Sequence, residues 1–459
     1  MASTYLTRTP SSNSASRTAI TLSGWFKRSE LNDIETIFQV GAGSGYINWT
    51  FNTANQIDFA IQNNNYTSSP PTGFKERKIT NRVCRDTSAW YHIVIAVNTT
   101  EGTATDRLKI WVNGVQETSW THETNNTNQN QALPIYVGST SDPFNIGRQN
   151  NGTYFYGGLV SHLHYIDGTA YDATAFGEYD ANGVWKIKTS PSVTYGTNGF
   201  FILKDGNSVT DQSGNGNNFT VGGGTLTNTE DSPSNVFATF NPNDAYLNYT
   251  TLSNGNLTLT GGSQSVNYSM IRGNIGNLSG KYYWEVKAVD NAEIDQVGVM
   301  LTNLYVSAHA SSGGLQSTAW GGKGVQLSNG NKVGDGSQSA YMGGFSANDI
   351  LMVALDLDNT KITFGRNGQW SNGSGGADQT YANSTPAFTN LISGEFYLPA
   401  HAQRDSAGNN SGTSQYNFGN GYFGTTAVSS AGTNASGIGI FEYDVPTGYT
   451  ALSTKGLNL

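Results

Sequence analysis

Ala89-Trp-Tyr-His-Ile-Val-Ile-Ala-Val97, followed ten residues later by Leu108-Lys-Ile-Trp-Val-Asn-Gly-Val115, decides the fold of this chain. Tyr91–Val97 is β-branched and nearly unbroken in apolar character, the pattern of a strand buried on both faces. Leu108–Val112 is a short strand that ends at Asn113-Gly114, the pair that favours a two-residue hairpin turn. Val115 resumes an extended run. Further out, Tyr282-Tyr-Trp-Glu-Val-Lys-Ala288 alternates apolar and polar, and Lys361-Ile-Thr-Phe364 runs into another turn at Asn367-Gly368. No window of 15 residues has helical periodicity. Short strands about every 8–12 residues with Gly/Asn turns predict an all-β chain built from antiparallel β-sandwiches.

The chain has 459 residues, so two or three domains are expected at about 100–200 residues each. Charged residues are only 12%, against about 25% in ordinary globular chains. Aromatic residues, also 12%, are enough to build cores. The 56 glycines leave little room for long helices. Residues 206–459 carry 9 basic and 17 acidic groups, most of the overall charge of −9. Such a surface repels phosphate backbones, so no nucleic-acid partner is expected. A single cysteine, Cys84, excludes an intramolecular disulfide. The first ten residues hold no apolar stretch of signal-peptide length. Ile93–Val97 is among the longest apolar runs, about a quarter of a membrane span, so no membrane insertion is expected. Synthesis in a cytoplasm is the expectation. Asp211-Gln-Ser-Gly-Asn-Gly-Asn-Asn218, Val221-Gly-Gly-Gly224 and Asp231-Ser-Pro233 mark a boundary. The expected division is a first domain over 1–205, a Gly/Asn/Pro-rich linker over 206–244, a second domain over 245–420, and a C-terminal tail over 421–459 that docks on the second sandwich or on a neighbouring subunit.

The first block resembles the laminin-G/concanavalin-like lectin jelly roll. The resemblance rests on Leu22-Ser-Gly-Trp-Phe-Lys-Arg-Ser29, the two stretches quoted first, Phe144-Asn-Ile-Gly-Arg148 and Tyr156-Gly-Gly-Leu-Val-Ser-His-Leu-His-Tyr-Ile-Asp-Gly168. The second block resembles a SPRY domain, through Gly280-Lys-Tyr-Tyr-Trp-Glu-Val286, Val297-Gly-Val299 and Asn348-Asp-Ile-Leu-Met-Val-Ala-Leu-Asp-Leu-Asp358 with Lys361–Gly368. Phe176-Gly-Glu-Tyr-Asp-Ala-Asn-Gly-Val-Trp185, Tyr195–Phe200, Asp211–Phe219, Asp231–Asn235 and Pro446–Thr454 are together similar to a series in virion proteins of tailed bacteriophages, marine ones especially. That resemblance implies a non-enzymatic virion structural protein: a tail fibre or appendage, or a capsid decoration, with the first favoured. It implies assembly in the host cytoplasm and localisation in the virion. The implied partners are other virion proteins, host-surface polysaccharide and further copies of the chain in a homo-oligomer. The alternatives are a cell-made lectin-like adhesin and a glycan-cleaving enzyme on the concanavalin-like fold.

No catalytic residues and no cofactor are expected. The nearest paired carboxylates, Glu293 and Asp295, lack a further same-face acid for glycoside hydrolysis and fall in the second block. There is no nucleophile elbow, zincin motif or phosphate loop. Cys84, between Val83 and Arg85, reads as a core thiol. His162 and His164, two apart on a strand, would share one face and could seat a metal with Asp167, although packing is the favoured reading. Asp211-x-Ser213-x-Asn215-Gly216 starts like a calcium loop, but Gly222 stands where a bidentate Glu is needed. No metal is expected; on the laminin-G resemblance, Asp142 and Asp167 are the only candidates for a loop-edge calcium. The basic run Lys75–Arg85 could grip anionic sugars or an acidic neighbouring subunit, although a charged strand edge is the favoured reading. For sugar contact the candidates are aromatic residues near Asn-rich loops: Trp49, Tyr66 and Trp120 in the first block, and Trp320, Tyr341 and Trp370 in the second. Trp25, Trp90, Trp111 and Trp284 read as core.

Overall fold

A computed structural model describes residues 3–14, 16–42, 45–63, 74–133, 139–204, 206, 208–244, 250–261, 268–290, 295–302, 313–318, 321–404 and 412–458. The chain is all-β and forms two units, Met1–Asn228 and Thr229–Leu459. Among the described residues the only helices are short 3-10 turns.

The first unit contains β1 (Tyr5–Arg8), β2 (Ala19–Lys27), β3 (Glu35–Ala42), β4 (Gly45–Phe51), β5 (Gln56–Asn63), β6 (Phe74–Val83), β7 (Trp90–Asn98) and β8 (Leu108–Val112). It continues with β9 (Val115–Gln116), β10 (Trp120–Asn125), β11 (Phe144–Ile146), β12 (Leu159–Asp167), β13 (Gly177–Tyr179), β14 (Trp185–Ile187), β15 (Phe200–Ile202) and β16 (Thr220–Gly223). An eight-stranded sheet runs β10-β6-β5-β4-β3-β11-β1-β16, and a six-stranded sheet runs β15-β12-β2-β7-β8-β9. All their pairings are antiparallel. Alternate residues of both sheets meet in one core: Phe38, Trp49, Phe59 and Phe144 from the larger sheet, Leu22, Phe26, Ile93, Ile95 and Tyr165 from the smaller. β7 is buried on both faces as its composition predicts, because Val94 belongs to a second apolar cluster with Ile166, Ala173 and Phe176. Trp111, Tyr171, Trp185 and Tyr195 close that cluster over the outside of the six-stranded sheet. The Asn113-Gly114 turn serves this cover as well. Gly114 has φ +81, and a Cβ there would lie 2.5 Å from the Trp185 ring.

The segment expected as a linker is shared between the units. β16 pairs with β1, Leu6 opposite Val221. Before it, Asp211 folds its own loop: its carboxylate accepts the N–H groups of Phe201, Ser213 and Asn217. Local side-chain acceptors thus order a Gly/Asn-rich stretch that has few apolar residues. In the second unit Phe237 bridges Ser453, and Ala238 and Phe240 join the core.

The second unit also has two main sheets, of nine and six strands. Trp284, Val286, Val353, Leu355, Phe364 and Tyr416 lie in its core. The last residues of the chain are part of this unit: Thr450–Ala451 pairs in parallel with Tyr282–Tyr283, and Leu452 enters the core. Ahead of them, Phe441, Val445 and Tyr449 lie over Tyr283, Met352 and Trp370 in a separate apolar cluster.

Candidate functional site

Period-two alternation that turns Ile47, Trp49 and Phe51 inward must turn Tyr46, Asn48 and Thr50 outward. Register carries this across the whole sheet. Thr220, Thr7, Asn145, Gln39, Asn48, Ala60, Arg77 and Thr124 stand directly opposite one another in sequence from β16 to β10. At 4.7–4.9 Å between strands this row is about 33 Å long. Every member but Ala60 is polar, and Ala60 presents only a methyl group between Asn48 and Arg77. On one side of the row Tyr46 faces Gln62; on the other Thr50 faces Asp58.

Two charges on this face, Asp58 and Arg77, pair with each other. Arg77 Nε and Nη2 donate to the two Asp58 carboxylate oxygens at 3.0 and 2.7 Å. Asn150 covers the β11–β3 end: its N–H donates to Gln39 Oε1 at 2.8 Å, and its side chain bonds Asn145 and the Gly41 carbonyl. Toward β4–β6, Tyr46, Asn48, Asp58 and Arg77 are half-buried. Asn48 Oδ1 and both amide atoms of Gln62 have no hydrogen-bond partner. Amides offer a donor and an acceptor without charge, which suits a ligand bearing hydroxyl groups. On the six-stranded sheet, by contrast, Trp111, Tyr171, Trp185 and Tyr195 pack over the outward Val94 and Ile166.

Of the aromatic candidates, Trp49, Tyr341 and Trp370 are not on exposed loops. Trp49 lies on the inner side of β4 at 0% exposure, edge-on to Phe26. Tyr341 is buried, and its hydroxyl donates to the Thr385 carbonyl at 2.6 Å. Trp370 packs in the Tyr283–Phe441 cluster. Trp120 is half-buried on edge strand β10, with Lys78 Nζ 4.6 Å from its ring centre. Tyr66, Trp320 and Glu293 lie outside the described residues. Asp295 is fully buried; its Oδ2 accepts from Ser414 and lies 3.5 Å from His401 Nε2. Burial pushes the Cys84 thiol up to about 12.

His162 and His164 do not share a face in regular alternation. A bulge separates Ser161 from His164, and His162 has φ +50. His164 Nδ1 bonds the Tyr195 hydroxyl at 3.0 Å. The basic run is not a bare edge either: β6 is paired on both sides, Lys78 meets Glu123 at 3.0 Å and Arg82 meets Glu117 at 2.5 Å. Asp142 is half-buried on a turn, its N–H donating to the Ser139 carbonyl at 3.4 Å; Asp167 is buried. Among the described residues no three His, Cys, Asp or Glu side chains converge as metal ligands. Sequence reasoning missed Gln39, Asn48, Asp58 and Asn145, and singled out Arg77 only as part of the basic run Lys75–Arg85. The outward phase of β4 was a usable signal, whereas the cross-strand row depends on register.

Residues 2–174 match the concanavalin A-like lectin/glucanases superfamily through its Laminin_G_3 family, and residues 281–389 match the SPRY domain. This chain carries a concanavalin-like domain followed by a SPRY domain. Among solved structures it is similar to the SPRY domain of human HERC1, at 22% identity over 39% of this chain and 96% of that one, with a TM-score of 0.30. It is similar to stonustoxin at 17% identity over 39% of this chain and 27% of that chain, TM-score 0.29. A human SPRY domain matches at 10% identity over 37% and 94%, TM-score 0.26. No curated protein matches the chain. Apart from Thr220, the polar row falls within the residues matched to the concanavalin-like family, and the buried Tyr341 and Trp370 fall within those matched to the SPRY domain.

Proposed function

We propose that this chain is a non-enzymatic surface-recognition protein whose concanavalin-like domain binds a neutral glycan chain along the outer face of the eight-stranded sheet. The observation that carries this reading is the polar row from Thr220 to Thr124, unbroken except at Ala60. Neutral amides and the matched Asp58–Arg77 pair favour hydroxyl groups over charged ligands. A site of this kind is weak singly and gains strength by repetition. Repetition fits the setting we propose, the surface of a tailed-phage virion, as a tail fibre or appendage that touches host polysaccharide. That setting draws its support from the virion-like sequence series and from the pairing of two binding-type folds.

Affinity electrophoresis against neutral polysaccharides, with an assay for released reducing ends, tests the binding reading. Retention by at least one neutral polysaccharide is expected, weakened at least about tenfold in Asn48→Ala, with no new reducing ends. Retention that Asn48→Ala leaves intact, or release of reducing ends, overturns it. Antibody labelling of purified particles tests the setting; label confined to the host cell surface would favour the adhesin alternative.

A further inference from the structure

Beside the polar row, on the same outer face, an arginine is held flat against an aromatic ring. Leu6 of β1 points into the core, so its neighbour Tyr5 faces outward. Thr7, two residues along the strand, is a member of the row, which places Tyr5 about 7 Å beyond it. Gly222 and Gly223 of β16 lie against the Tyr5 ring, and a Cβ on either would collide with it. Over the face of that ring sits Arg148, its guanidinium carbon 3.4 Å from the ring centre.

The backbone on both sides of Arg148 is fixed. Before it, the Gly147 N–H donates to the Ile37 carbonyl, and the Gly147 carbonyl accepts the Tyr156 N–H, both at 3.0 Å. After it, the Gln149 N–H donates to the Thr153 carbonyl and the Gly152 N–H to the Gln149 carbonyl, again at 3.0 Å. Asn151 Oδ1 accepts the Thr153 N–H and hydroxyl at 3.1 and 2.6 Å. The same loop carries Asn150, which covers the β11–β3 end of the row. Arg148 is half-buried, and its enclosed Nε has no hydrogen-bond partner. Among the described residues no Asp or Glu forms an ion pair with Arg148, whereas Arg77 on this face is matched by Asp58.

Stacking fixes the plane of a guanidinium and leaves its in-plane N–H donors for another partner. Those donors form a fork that matches the two oxygens of a carboxylate and carries one charge to meet one charge. The ordering of the side chain, a cost that usually weakens an exposed ion pair, is met before the partner arrives. We propose that Arg148, stacked on Tyr5, binds the carboxylate of an acidic sugar unit carried on the glycan chain that lies along the polar row. This inference rests on the glycan reading above and adds to it a charged substituent on an otherwise neutral chain.

The test is affinity electrophoresis of the full chain in gels holding pullulan or a galactomannan, each before and after oxidation of its primary hydroxyl groups to carboxylates. At low salt, oxidation is expected to strengthen retention at least about tenfold, the scale of a hydrogen bond to a charged group. Arg148→Gln is expected to remove that gain, while retention by the unoxidised polymers stays within about twofold. No gain on oxidation overturns the proposal, as does a gain that survives Arg148→Gln. An equal gain from sulfated forms of the same polymers also overturns it, since bare charge would then suffice. The neutral-glycan reading fails separately, when Asn48→Ala leaves retention by the unoxidised polymers intact. Retention of the oxidised polymers alone, lost in Arg148→Gln, would uphold the carboxylate site and overturn the neutral one.

Discussion

One residue apart on β4, Trp49 and Asn48 face opposite ways, and their substitutions should separate folding from binding. Trp49 fills the core at 0% exposure, so Trp49→Ala is expected to cost about 3–5 kcal/mol of unfolding free energy, checked by urea denaturation. Asn48→Ala should change stability by under about 1 kcal/mol and act on polysaccharide retention. His92 makes a second prediction at this scale. Trp185 Nε1 can only donate, and it lies 2.9 Å from His92 Nδ1. The ring proton therefore sits on Nε2 and faces Ser23 Oγ at 3.0 Å. Burial, helped by His162, pushes the pKa down from 6.5 to about 3. The folded state holds this ring neutral while the unfolded chain takes up a proton below pH 6.5. Its stabilising share is thus complete above 6.5 and falls by about 1.4 kcal/mol per pH unit on acidification toward 3. His92→Gln should melt lower than the native chain at pH 7 but lose less between pH 7 and 4.5 by calorimetry. Trp49 shows where sequence reading runs out at this scale. Its Asn-rich surroundings suggested a loop, and only the phase of its neighbours turns it inward.

Elements were legible where one local pattern sufficed. β7 announces itself by continuous β-branching, and the β8–β9 hairpin by Asn113-Gly114. The bulge in β12 was not legible, because nothing in Ser161-His-Leu-His164 marks an extra residue; its partner strands impose it. The strap over the second unit was half legible: its apolar residues were visible, its fastening was not. Glu285 is buried on the Lys281–Ala288 strand and accepts four hydrogen bonds. They come from the Glu442 and Tyr443 N–H groups at 2.9 and 2.8 Å, the Tyr283 hydroxyl at 2.9 Å and Asn417 Nδ2 at 3.3 Å. All four donors are neutral, and burial outweighs them, lifting the carboxyl to about 7. Glu285→Ala leaves two backbone N–H groups without an acceptor, at about 1–3 kcal/mol each. The variant is expected to expose residues 428–445 to limited proteolysis while the sheets beneath stay folded. Its acid response has the reverse sign to that of His92. The native Glu285 binds its proton more readily than the unfolded chain does. Its share of stability therefore fades as pH rises from about 4.5 to 7, and the native-minus-variant difference in Tm should be larger at pH 5 than at pH 7.5.

At the scale of the molecule the deciding pairings join residues far apart in the chain, which is why the two-sandwich class could be read from alternation and turns while the closure of each unit could not. β1 meets β16 across some two hundred residues, with Thr4 donating to the Thr225 carbonyl at 2.9 Å. In the second unit the Thr454 N–H donates to the Val236 carbonyl at 2.9 Å, and Phe237 bridges Ser453. Each unit thus ties its own first segment to its own last, and each has a large apolar core of its own. A chain segment closed in this way does not need its neighbour to complete a sheet. Residues 1–228 and 229–459, expressed separately, are therefore expected to fold, each melting cooperatively within about 5 °C of its transition in the full chain, a shift of about 1–2 kcal/mol for units this size. The matching loss-of-function test removes a closing segment instead of a unit. Deletion of residues 450–459 strips the Tyr282–Tyr283 pairing and Leu452 from the second core and should abolish that unit's transition, while the first unit's melt and polysaccharide retention persist. A first-unit transition that disappears together with the second would show that closure depends on both units, and the separate-folding prediction would fail with it.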